Sequence, residues 1–252
     1  MKRLHTRPIQ SQSDLVAHFD AAAQTYQEAH GPAARLLAYR LALVRRCYHV
    51  SSEAVLLEIG CGTGIHLIAL ADEFARAIGT DISEAMIQAA TAVARQSPVK
   101  ERIDLRVDAA DELWTIADAS IDVVLCVGAF EHMLHKARVL RQVYRVLKPD
   151  GVFVCLTPNG DYWWYTSVAP RLRLAVKHLS TDHFVTLKEM SDFLRDAEFT
   201  VRRHEYWRFI PKGDMPSWVG WMLEVADRLG QYGGLSWLRG GLVVVATKGR
   251  KT

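Results

Sequence analysis

The feature that most constrains this chain is the stretch Val55 to Gly64, V-L-L-E-I-G-C-G-T-G, followed by Ile65, His66 and Leu67. Apolar residues around a single acid, without alternation, suit a parallel strand covered on both faces. The run H-L-I-A-L-A-D-E-F-A behind the glycines has helical periodicity. Strand, glycine turn and helix together leave unpaired backbone N–H groups at a helix start, and glycines let a ligand approach them closely. The spacing is G-x-G-x-G. The dinucleotide fingerprint G-x-G-x-x-G needs glycine at 65, where the chain has Ile65.

Further segments repeat the strand-then-helix order. R-A-I-G-T-D-I-S (76–83) predicts a short strand ending in Asp81, followed by a helix that Ser83 caps better than Asp81 does. A strand-end carboxylate suits a vicinal diol, because its two oxygens can accept from both hydroxyls. Ile103–Val107 alternates and is placed near a sheet edge. Ile121–Val127 is a buried fourth strand, and V-F-V-C-L-T-P after Pro149-Asp150-Gly151 is a fifth. This alternation predicts an α/β fold with a doubly wound, mostly parallel sheet.

In order, E-I-G-C-G-T-G, R-A-I-G-T-D-I-S, R-V-D-A-A-D (106–111), I-D-V-V-L-C and R-V-L-K-P-D-G-V-F-V resemble the motifs of class I S-adenosylmethionine-dependent methyltransferases over roughly residues 50–160. The resemblance implies a seven-stranded Rossmann-like methyltransferase sheet. It implies S-adenosyl-L-methionine as cofactor, with S-adenosyl-L-homocysteine as product. The cofactor residues it implies are Glu58, Gly60, Cys61, Gly62 and Gly64 at the loop and Asp81 at the ribose. Ile82 and Met86 would flank the adenine, Asp108 and Ala109 would meet its edge, and Val127 would lie at the fourth strand end. The phrase F-D-A-A-A-Q-T-Y (19–26) resembles a leader whose aromatic pair closes the cofactor site, so Tyr26 is a cofactor candidate and Phe19 a weaker one. Both also suit plain helix packing.

After the fourth strand the chain reads G-A-F-E-H-M. It lacks the N-P-P-Y-like tetrad of enzymes that methylate nucleobase or amide nitrogen, and it resembles the L-E-H segment of ubiquinone-biosynthesis methyltransferases. Relatives that bind a divalent metal extend it to E-x-x-E-H. Here Gly128 stands at the first acid, so no metal site is expected. Methyl transfer from a sulfonium is an in-line displacement with a neutral leaving group, so placement dominates. A base matters only for a protonated acceptor. His132 is the first candidate and His183, in T-D-H-F, the second. His66 begins a helix whose dipole disfavours the imidazolium.

Beyond residue 160 the resemblance becomes general. V-T-L-K-E-M-S-D-F-L-R-D-A-E-F looks like a last helix and turn, with Glu198 where glycine is common, so a differently shaped turn is expected. Thr200–Arg203 looks like strand six, and L-V-V-V-A-T-K (242–248) like strand seven, antiparallel at the sheet edge. Six of the seven tryptophans lie here, with fourteen Lys and Arg against ten acids. They form a capping layer, or an aromatic cover over the acceptor in which Phe130, Trp163, Trp164 and Trp207 are substrate candidates. A third use is a peripheral membrane contact through 216–230.

The 252 residues are read as a single domain: N-terminal helices at 11–48, with Ser13 or Asp14 as first cap and a break at Gly31-Pro32, a core at 53–160, and cover and last strands at 161–252. A net charge of +3 gives no general case for nucleic acid. Cys47, Cys61, Cys126 and Cys155 lack C-x-x-C spacing and read as reduced thiols of a cytoplasmic protein. The basic N-terminus has no apolar run behind it, so no signal peptide is expected. The function expected is transfer of a methyl group to a small, apolar or aromatic acceptor, at oxygen by preference. Methylation of RNA or protein, and cofactor binding without catalysis, are the alternatives. The sequence leaves the oligomeric state open.

Overall fold

The computed structural model describes residues 8–23, 33–171, 179–208, 217–230, 232 and 234–249, with side chains left out at 33–35 and 217–220. The strands are β1 (Val55–Ile59), β2 (Arg76–Asp81), β3 (Ile103–Val107), β4 (Ile121–Val127), β5 (Leu147–Pro158), β6 (Phe199–Trp207) and β7 (Gly241–Lys248). They form one sheet in the order β3-β2-β1-β4-β5-β7-β6. Strands β1 to β5 pair in parallel, and β7 pairs antiparallel with both β5 and β6. The expected edge position of strand seven is corrected: β7 lies inside the sheet and β6 forms the edge. The β7 burial pattern gives the reason, since Gly241 to Ala246 are all buried and such a run needs cover on both sides.

The helices are α1 (Gln12–Ala22), α2 (Ala33–Arg45), α3 (Ile65–Leu70), α4 (Glu84–Ala94), α5 (Lys136–Val146), α6 (Ala169–Arg171, continuing a π-helical turn at Trp164–Val168), α7 (Leu187–Asp196) and α8 (Ser217–Leu229). Period-two alternation sends side chains to two cores. Leu57, Ile59, Val124 and Cys126 face α5 and α7. Leu56, Val123 and Leu125 face α2 and α3. The sheet thus separates two helical layers, the doubly wound arrangement. No helix among the described residues is long and apolar enough to cross a membrane.

Local signals set the helix starts, with one correction. Ser11, rather than Ser13 or Asp14, caps α1, and Asp14 completes the capping box from the N3 position. Ser83 caps α4 as expected, its hydroxyl accepting from the Met86 N–H at 3.1 Å. Gly31-Pro32 lies outside the described residues. The turn after α7 also departs from expectation. Glu198 adopts φ +64°, the left-handed shape a glycine would take, at a cost of roughly 1–2 kcal/mol. The packing of β6 against β7 holds the chain to that turn.

In this strand order the chain departs from β1 toward β2 on one side and from β4 toward β5 on the other. The crevice at the carboxyl ends of β1 and β4 is therefore the switch point where doubly wound sheets take ligands. Gly60 follows β1 and Gly128 follows β4, both with positive φ.

Candidate active site

A cleft opens at that switch point, with about 770 Å³ of non-atom space including its solvent-open mouth. Gly60, Gly62, Asp81 and Asp108 supply its polar wall, and Leu15, Phe19, Ile82, Met86, Met133 and Leu134 much of its apolar lining. The glycine loop must stay bare. A Cβ at Gly60 would lie 2.6 Å from the Ala129 Cβ, and both Gly60 and Gly62 hold positive φ.

Asp81, 8% exposed, ties the loop to the next strand. Its Oδ2 accepts from the Gly62 N–H at 2.8 Å and its Oδ1 from the Ser83 N–H at 2.9 Å. Burial pushes its carboxyl above the usual range, and those two amides hold it back. Asp108 uses one oxygen only: Oδ2 accepts from the Thr115 N–H at 2.8 Å and hydroxyl at 2.6 Å. Its Oδ1 is buried without a partner. An orphaned acceptor in a cleft that also offers apolar Ile82 and Met86 fits the exocyclic amine of an adenine. The residues present therefore fit the adenosyl cofactor that the resemblance implies.

Other cofactor candidates support the loop from beneath. Glu58 is 1% exposed, and its Oε1 lies 3.4 Å from His66 Nδ1. Cys61 is buried, its N–H donating to the Thr80 carbonyl at 3.0 Å. Gly64 starts α3 at φ +74°, and a Cβ there would press on Ala90 of α4. Val127 joins the core on the α2 side. Ala109 accepts from the Glu112 and Leu113 amides, while its neighbours Ala110 and Asp111 reach the cleft. Tyr26 lies outside the described residues.

His132 reaches the cleft; His183 does not. The His132 Nδ1 lies 2.6 Å from Asp182 Oδ1, and the Asp182 side chain is 0% exposed. Asp182 Oδ2 accepts from the Leu179 N–H at 2.9 Å, so the carboxylate is fixed at both oxygens. The Phe19 ring meets the imidazole edge-on at 5.5 Å. Burial lowers the His132 pKa, but the Asp182 hydrogen bond and the Glu131 charge outweigh it, so the net direction is up. Sequence reasoning missed Asp182, although it adjoins His183 in T-D-H-F. His183 instead faces an outer groove, with Nε2 3.2 Å from Glu189. Among the described residues no group of three His, Cys, Asp or Glu side chains is arranged to hold a metal ion.

The aromatic substrate candidates are placed elsewhere, which corrects that expectation. Phe130 is 0% exposed in the core beneath α5. Trp163 and Trp164 pack with Tyr162, Tyr165 and Leu223 in a separate cluster between the π-turn and α8. Trp207 is 2% exposed on the α2 side of the sheet. Trp163 is half-buried and the other three are buried, for one physical reason. Apolar strand-end and insertion residues are buried by neighbours they meet only in the fold. On α8, Trp221 and Leu229 are exposed while Leu223 and Asp227 are buried; the Trp218 side chain is outside the described residues.

Comparison with known proteins supplies a lineage. The family described as "Methyltransferase domain" matches residues 57–155. A demethylmenaquinone methyltransferase of Lactiplantibacillus plantarum is 31% identical over 172 residues, covering 60% of this chain and 72% of the relative. A ubiquinone biosynthesis O-methyltransferase of Ruegeria pomeroyi is 29% identical over 178 residues, covering 69% of this chain and 68% of the relative. Among solved structures, a chain from the complex between the Haloferax volcanii Trm112 methyltransferase activator and a methyltransferase superposes with a TM-score of 0.68. It is 21% identical and covers 96% of this chain and 100% of that chain, which is a likeness of fold. With the glycine loop, the strand-end acid and the orphaned Asp108 oxygen gathered at one switch point, and with the Lactiplantibacillus plantarum relative aligned over 72% of its length, the chain belongs to the class I S-adenosylmethionine-dependent methyltransferases of small-molecule type.

Proposed function

We propose that the enzyme methylates a hydroxyl of a small acceptor whose reacting end is apolar or aromatic, with His132 as general base and Asp182 as its positioning residue. One observation carries this reading: a cleft-facing histidine whose Nδ1 is held 2.6 Å from a fully buried carboxylate. With Nδ1 engaged, Nε2 is the nitrogen left to take a proton, and Asp182 stabilises the imidazolium that forms. The bound cofactor supplies an electrophilic methyl group on sulfur. The chain's own work is to bind and orient. Gly60 and Gly62 would admit the methionine portion, Asp81 would accept from the ribose hydroxyls, and Asp108 Oδ1 would accept from the adenine amine. Glu58, Cys61, Gly64, Ala109 and Val127 hold those groups in place from behind. The acceptor hydroxyl would give its proton to His132 as its oxygen takes the methyl carbon from sulfur, the C–S bond breaking to leave neutral S-adenosyl-L-homocysteine. We read residues 1–252 as a single methyltransferase domain, with α1 forming one wall of the cleft through Leu15 and Phe19.

An RNA or protein acceptor has less support. Beyond residue 160, Lys188, Arg195, Arg203, Arg208 and Arg239 each lie beside an acid, which leaves less unpaired positive charge for a polyanion. The test is turnover of S-adenosyl-L-methionine with a panel of catechols and hydroxyquinols, the products located by mass spectrometry and NMR. An O-methyl product with stoichiometric S-adenosyl-L-homocysteine is expected, and a methyl on carbon or nitrogen would overturn the oxygen assignment. Asp81→Ala should weaken S-adenosyl-L-methionine binding about 10- to 100-fold in calorimetric titration, because charge-assisted hydrogen bonds worth roughly 1.5–3 kcal/mol are lost. Unchanged affinity in the folded variant would remove Asp81 from the site.

A further inference from the structure

Beside the cleft runs a second space that the reaction as described does not use. This groove encloses about 1040 Å³ of non-atom space including open solvent, and Met133, Leu134 and His135 line both it and the cleft. The two spaces therefore adjoin along Met133–His135. His135, Lys136, Arg138, Arg141 and His183 all line the groove, and among the described residues no acidic one does.

We propose that the groove binds an anionic group of the acceptor, a carboxylate or phosphate, while the reacting hydroxyl lies at His132. The proposal rests on the methyltransferase reading above. Lys136 is its floor, 6% exposed. The ammonium donates to the Met133 carbonyl at 2.8 Å and the Glu131 carbonyl at 3.3 Å, and lies over the Phe130 ring 5.5 Å from its centroid. An ammonium this buried needs its desolvation offset; the two carbonyls and the Phe130 face do part of that, and an anion in the groove would add to it. Thr181 adds a hydroxyl whose Oγ1 is buried without a hydrogen-bond partner. An ammonium and a hydroxyl lining the same groove are both donors for an anion.

The rim agrees with the floor. Arg141 is exposed and has no ion pair or hydrogen bond among the described residues. Arg138 meets Glu112 only at 3.4 Å, with both side chains about half exposed, a pairing that a ligand can displace at small cost. His183 and Glu189 are similarly exposed at 3.2 Å. The first turn of α5, eleven residues long, has no side-chain cap from His135, so its positive end adds to the field.

The probe is inorganic diphosphate, titrated calorimetrically into the full-length protein saturated with S-adenosyl-L-homocysteine. Wild type should bind it, and Arg138→Gln/Arg141→Gln should weaken binding about tenfold or more through loss of charge-assisted bonds. Thr181→Val should weaken it by a smaller factor, and cofactor affinity should not change in either. Equal affinity in wild type and double variant, or a wild-type dissociation constant above about 10 mM, would overturn the proposal. A second arm compares kcat/KM for 3,4-dihydroxybenzoate and 4-methylcatechol. The double variant should lose the preference for the carboxylate. If diphosphate binding weakens but that preference stays, the groove takes a free anion and the acceptor assignment is wrong. If neither phenol is methylated, the hydroxyl reading of this site fails. The acceptor assignment falls with it, while the diphosphate titration still decides whether the groove binds anions.

Discussion

His132→Gln should lower kcat by about 10²–10⁴-fold, the range a positioned acid or base contributes, with S-adenosyl-L-methionine affinity unchanged. Glutamine can fill the space but cannot take the proton. Asp182→Asn is the sharper experiment. The Leu179 N–H would still need an acceptor, so the asparagine carbonyl should stay there and turn its NH₂ toward His132 Nδ1. That forces the ring proton onto Nε2, the nitrogen that must be free to act as base. A fall in kcat of tenfold or more is expected, about 1.4 kcal/mol in the barrier. The pH profile distinguishes this from a merely structural loss. In the wild type, activity should rise through a His132 pKa that stands above the ordinary value of 6.5. In Asp182→Asn that limb should move toward lower pH. Stability runs the other way. The ion pair is fully stabilising below the ordinary histidine value and is lost as pH rises through the raised folded value. A variant with full activity and an unshifted limb would sink the dyad.

Trp207→Ala should cost about 3–5 kcal/mol of stability, the range for emptying a buried tryptophan site. The ring lies 6.1 Å from Tyr39, carries the Arg40 guanidinium at 5.6 Å, and fills the space where Gly241 would place a Cβ. Collapse around so large a void is resisted on three sides. Tm should fall by roughly 10 °C or more in a domain of this size, whereas Trp221→Ala, at an exposed position, should stay within about 0.5 kcal/mol. Calorimetry of both variants checks this. A Trp207→Ala protein that keeps its Tm but shows a raised acceptor KM would return that ring to the substrate site.

Much of this protein is legible without coordinates because its cofactor half is built from local, consecutive signals. The apolar run of β1, the bare glycines after it, the acid closing β2 and the Ser83 cap each follow from a few adjacent residues. Their order then implies a switch point at β1 and β4. Cleft residues at strand ends, Gly60, Gly62, Asp81 and Asp108, were therefore readable. Spacing could not say which of them point into the cleft and which hold the loop from behind. Glu58 and Gly64 lie in the motif but support it.

Only the tertiary structure decided what lies beyond strand five. Asp182 is fifty residues from His132, and no periodicity links a loop carboxylate to a histidine across that distance. The tryptophans read equally well as cover or core, because burial belongs to the neighbours a ring meets, and Trp207 meets α2 across the sheet. Glu198 keeps a glycine's turn because the β6 and β7 pairing outweighs a local backbone penalty of one or two kcal/mol. Sequence by itself determined the elements and the cofactor loop, since those energies are local. Which histidine reaches the cleft, and what lines that cleft, rest on contacts between distant segments that exist only once the sheet has closed.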